Sequence, residues 1–79
     1  MRLNFSSEAP TVEVGHEFRH RRLGGGVVET ARVVGLLDDR SGIPHVRFMV
    51  SIQRINRTFE EGPRTLSLSS FLRHYNENV

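Results

Sequence analysis

Cysteine and lysine are both missing from this 79-residue chain, and each absence removes a class of chemistry. Without cysteine there is no disulfide framework, no thiol nucleophile and no Cys-containing zinc site. Any metal would have to be held by histidine and carboxylate. Without lysine, all 11 basic side chains are arginine. Between the histidines and the arginines only the terminal amine and Tyr75 titrate. The pI of about 10.4 therefore reflects that gap more than an excess of charge, since the formal net charge is only +2. It is discounted as a sign of nucleic-acid binding. Long apolar runs are also missing. None approaches the roughly 20 residues that span a bilayer, and the opening MRLNFSSEAP has no signal-peptide core. The expectation is a cytoplasmic protein with no membrane partner.

What is present fits one small domain, near the lower size at which an apolar core suffices unaided. Apolar residues make up 37% of the chain and include five Phe, and the valines and isoleucines favour strands. Residues 1–11 show no periodicity and are expected to be a loose arm, residues 12–76 the domain and residues 77–79 a tail. Val12, Val14, His16, Phe18 and His20 alternate with Glu13, Gly15, Glu17, Arg19 and Arg21. That period of two predicts a half-buried strand interrupted at Gly15. Gly24 to Gly26 then predict a turn.

Residues 27–37 read as a second strand with apolar side chains of both parities, so both of its faces are expected to be partly covered. Asp38 to Gly42 predict the turn of a hairpin. Beyond it, Pro44, Val46, Phe48, Val50 and Ile52 alternate with His45, Arg47, Met49, Ser51 and Gln53, which places His45 and Arg47 on the outward face. Glu60 to Pro63 predict the next turn and Arg64 to Leu68 a short strand. Phe71, Leu72 and Tyr75 recur at helical spacing after Ser69 or Ser70 as N-cap, with Arg73 and His74 at the helix end. The fold class expected is mostly β: a small partly open barrel or strongly bent antiparallel sheet of four to five strands, with a short C-terminal helix.

One motif carries specific chemistry in its letters. His16-Glu17-Phe18-Arg19-His20 matches H-E-x-x-H, in which a helix brings two histidines about 6 Å apart along its axis to share a zinc ion. On a strand the same residues stand about 13 Å apart, too far for two Zn–N bonds of about 2.0 to 2.1 Å. The period-two pattern therefore assigns His16 and His20 to ordinary positions beside Phe18. No metal or other cofactor is expected, and a His-based metallohydrolase is the third reading of the chain. Ser67, Ser69 and Ser70 near His74 suit helix capping better than nucleophilic catalysis. Asp38-Asp39 and Glu60-Glu61 read as solvated turn carboxylates. The expectation is that the protein is not an enzyme.

From Arg40 to Phe59 there is no acidic residue, while Arg40, His45, Arg47, Arg54 and Arg57 all fall there. The bland reading is a solvated face balanced by acids elsewhere. The sharper one is a guanidinium surface for phosphate or carboxylate, extended by Arg19, Arg21 and Arg22. Exposed aromatics for stacking on nucleic acid are few, because Phe18, Phe48, Phe59 and Phe71 are the obvious core. The leading functional expectation is a non-enzymatic binding module with a protein or nucleic-acid partner. The alternative is a structural protein that pairs with itself, as a homodimer, through an exposed edge strand.

G-x-x-F-x-H at Gly15, Phe18 and His20, with R-x-L-S-L-x-x-F at Arg64, Leu66, Ser67, Leu68 and Phe71, resembles small uncharacterised bacterial and phage-type domains. These have the shape of Src-homology-3-like small barrels. The resemblance spans about 60 residues and implies the barrel fold. Such barrels bind peptides, bind RNA or assemble subunits, so the resemblance does not choose among functions.

Overall fold

In a computed structural model, residues 2–3, 12–21, 26–38 and 40–79 are described. The domain is mostly β, as the patterning predicts. β1 (Arg2–Leu3) pairs antiparallel with β2 (Val12–Glu13). The main sheet comprises β3 (Glu17–Arg21), β4 (Val28–Asp38), β5 (Pro44–Arg54), β6 (Arg57–Ser67) and β7 (Glu77–Asn78), in the order β6-β5-β4-β3-β7. All of its pairs are antiparallel and the sheet is not closed. One helix, α1 (Leu68–His74), follows β6 directly. No helix among the described residues is long and apolar enough to cross a membrane.

The core forms where alternating apolar side chains of the sheet meet the helix. Val46, Phe48 and Val50 of β5 are buried while Arg47 between them is exposed. Leu68, Phe71 and Tyr75 come down on this face, and Phe71 packs against Phe18, Phe48 and Tyr75 with ring centroids 5.3, 5.0 and 5.2 Å away. The interruption expected at Gly15 is real. Gly15 takes φ +95°, open to glycine at little cost, and its N–H bonds the Val33 carbonyl, so the chain turns between β2 and β3 without leaving β4.

Several expectations need correction. Both faces of β4 are partly covered, with Val28 and Thr30 half-buried on the outer side, but its mixed parity has a second source. A bulge between Val33 and Gly35 shifts the register, so the inward set runs Glu29, Ala31, Val33 and then Leu36. The turn expected at Glu60 to Pro63 lies instead at Ile55-Asn56, between the directly paired Arg54 and Arg57. Gly62 and Pro63 are absorbed as an irregularity in β6, which tolerates proline because it is an edge strand. Glu60 and Glu61 are therefore strand residues. Phe59, expected in the core, is 42% exposed because α1 does not reach that end of the sheet. The helix N-cap is Ser67, whose Oγ accepts from the Ser70 N–H, rather than Ser69 or Ser70. Residues 77–78, in the segment expected as a tail, pair with β3, and residues 2–3, in the expected arm, pair with β2. The expected glycine turn at residues 24 and 25 lies outside the described residues.

Candidate functional site

The H-E-x-x-H segment is extended. Residues 17–21 form β3, with Phe18 opposite Ala31 and His20 opposite Glu29. The two histidines keep different company. His16 stands edge-on to Phe18 and places Nε2 3.7 Å from the Glu13 carboxylate. His20 stacks on His74 with centroids 4.3 Å apart and meets Tyr75 edge-on. This strand geometry gives the pair no means of sharing one ion.

The arginines expected to form one surface separate by strand parity. Residues 47 and 54 of β5 differ by an odd number, so they point to opposite sides. Arg19, Arg21 and Arg47 lie on the outer face, where Arg32 joins them, beside the acids Glu17, Glu60 and Glu77. Arg21 pairs with Glu77 at 3.2 Å, and Arg19 buries its Nε without a partner among the described residues. Arg54 and Arg57 sit on the inner side at the β5–β6 tip, and Arg40 lies in the turn at the other end. His45 is half-buried, with Nδ1 2.9 Å from the Ile43 carbonyl oxygen. Arg22 lies outside the described residues.

One concavity among the described residues was missed by sequence reasoning. It is a cleft of about 720 Å³ between the β6 edge and α1. Phe48, Leu66 and Tyr75 give it an apolar floor, Arg64 and Thr65 form the strand side, and Ser70, Arg73 and His74 form the helix side. Ser70, Arg73 and His74 share that side because they are three and four residues apart on the helix. No carboxylate is among these lining residues. Behind the floor, the Tyr75 hydroxyl donates to the Glu29 carboxylate at 3.3 Å, and both residues are buried. Burial, reinforced by the Glu29 charge, pushes the Tyr75 hydroxyl up to about 12, while Arg64 opposes the shift. Arg64 also pairs with Glu61.

The Ser70 hydroxyl accepts from Ser67 Oγ at 2.9 Å and His74 is stacked on His20, so serine and histidine share a wall without forming a nucleophile and base pair. The helical spacing of residues 70, 73 and 74 was visible in the sequence. Their meeting with Arg64 and Phe48 depends on the β6 edge standing beside α1. No family model matches the chain, and neither do the curated proteins or solved structures compared with it.

Proposed function

We propose that this protein is a non-enzymatic binding module that takes an extended, acidic segment of a protein partner along the β6 edge, with side chains entering the cleft beside α1. The observation that carries the reading is the cleft itself, an apolar floor under Arg64, Arg73 and His74 that opens directly onto an unpaired sheet edge. An edge strand offers main-chain donors and acceptors to an added strand, and an adjacent pocket selects alternate side chains. The charge of the lining selects carboxylate. A protein partner is favoured over nucleic acid here because the aromatic rings of the cleft, Phe48 and Tyr75, are buried floor and cannot be stacked upon. The resemblance to small barrels contributes nothing to this choice.

Self-pairing through β6 is the second reading, favoured by the exposure of that strand over residues 57–65. Against it, Pro63 has no N–H, and the irregularity beside it interrupts the edge near its middle. A short peptide needs only residues 64–67, whereas a second copy of β6 must cross the break.

The test is an anisotropy titration with a labelled short peptide alternating valine and glutamate, coupled to amide shift mapping. Shifts should concentrate on residues 64–67 and 70–75. Arg64→Glu with Arg73→Glu should weaken binding at least about tenfold, equivalent to ~1.4 kcal/mol. Unchanged affinity in that variant, or shifts confined to the outer face, would overturn the reading. A dimer in sedimentation velocity that the peptide dissociates would favour self-pairing instead.

A further inference from the structure

The β5–β6 tip carries an arrangement that folding alone does not explain. Arg54 and Arg57 are direct cross-strand partners flanking the two-residue turn at Ile55-Asn56. Like charges directly opposite one another destabilise a hairpin. Both arginines are exposed, and neither has an ion pair or hydrogen bond among the described residues. Phe59 follows Arg57 by two positions, so it faces the same side, and it keeps 42% of its surface exposed. Together with the chain at Gly26 and Val27, these residues wall a concavity of about 380 Å³ that contains no carboxylate among its lining residues. It lies at the opposite end of β6 from the α1 cleft.

We infer that this tip binds a nucleotide unit of single-stranded nucleic acid, with the phosphate between Arg54 and Arg57 and the base against Phe59. Two guanidinium groups give the planar donor forks that phosphate oxygens accept. Every base presents a π-face to an exposed ring, so the site would tolerate sequence. The concavity falls within the range of small-ligand sites and suits one nucleotide better than a duplex. The phosphate supplies the charge that the opposed arginines lack. This inference is independent of the peptide cleft.

The experiment is an anisotropy titration of the full chain with labelled oligothymidylate, oligouridylate and a mixed-sequence duplex over a series of salt concentrations. Arg54→Gln with Arg57→Gln should weaken single-strand binding at least about tenfold and flatten its log–log salt slope by roughly 0.7 per phosphate lost. Phe59→Leu should weaken it without changing the slope, while Arg73→Glu should leave it intact. Circular dichroism of each variant checks the fold. No binding at low salt, duplex binding tighter than single-strand binding and indifferent to Phe59, or equal loss in Arg73→Glu would each overturn the inference.

Discussion

Tyr75 and Glu29 meet across 46 positions of sequence, the phenol of the residue closing α1 donating to a carboxylate of β4 at 3.3 Å. Both are buried, and Glu29 is the buried acid of the described core. The bond fixes the last residue of the helical turn to the sheet and thereby sets the floor of the cleft. Removing the phenol takes a hydrogen bond away from a buried carboxylate, and bonds to charged groups are among the stronger ones. Tyr75→Phe should therefore cost about 1 to 3 kcal/mol at neutral pH, read from urea unfolding.

The same pair gives the protein an alkaline limit. Tyr75 is the only tyrosine and there is no lysine, so between pH 10 and 12 it is the side chain that titrates. Its folded pKa is raised to about 12 from 10.0, so the folded state holds a proton that the unfolded chain has released. The contribution is complete below pH 10 and falls away as pH rises toward 12, by at most about 2 to 3 kcal/mol. Stability measured across that window should decline in the wild-type chain and stay nearly level in Tyr75→Phe.

Phe71 is where helix and sheet are joined, fully buried against Phe18, Phe48 and Tyr75. Truncating it to alanine leaves a cavity that a small sheet cannot collapse around, a change that costs about 3 to 5 kcal/mol. In a domain of this size that is a large share of the total stability. Calorimetry of Phe71→Ala should show the cooperative transition shifted far down in temperature or absent.

The strands were legible wherever one face was buried. β5 shows this best, since Val46, Phe48 and Val50 alternate with polar neighbours and fall in the core. The helix was legible from Phe71 and Tyr75. What failed were features set by tertiary context. Ile55-Asn56 carries no strong turn chemistry, so the turn was assigned to the Gly62-Pro63 pair, which a sheet edge can absorb. The bulge in β4 hid a change of face inside an apolar run. The cleft was invisible because Arg64 and Arg73 belong to different elements, and the arginine surface divided because strand parity separates Arg47 from Arg54.

Ser67 and Ser69 make a paired test of the helix start. Ser67 Oγ accepts the Ser70 N–H, satisfying a donor that the first helical turn leaves open. Ser67→Ala should cost about 0.5 to 2 kcal/mol and Ser67→Gly only a few tenths. Ser69→Ala, at an exposed position inside the helix, should be neutral to slightly favourable because alanine is the better helix former. Chemical denaturation midpoints of the three variants order these effects directly.

Gly62 is the position in β6 least able to accept a side chain. Its φ of +132° lies where side chains of L residues are strained, and a Cβ built there would stand 3.2 Å from the Phe48 carbonyl oxygen and 3.1 Å from Met49 Sδ. The methionine can swing aside, but the carbonyl belongs to β5, an interior strand, and cannot move without disturbing the core packing of Phe48. The cost has two parts, the backbone strain of about 1 to 3 kcal/mol and the displacement of β6 from β5. Gly62→Ala should therefore destabilise by more than Gly42→Ala, because Gly42 shares the positive φ but a Cβ there meets nothing within 4 Å. The displacement should also shift Arg64 relative to α1, so Gly62→Ala should weaken acidic-peptide binding at the cleft while Gly42→Ala leaves it unchanged. Equal affinities for the two variants would mean that the bulge does not set the position of the cleft wall.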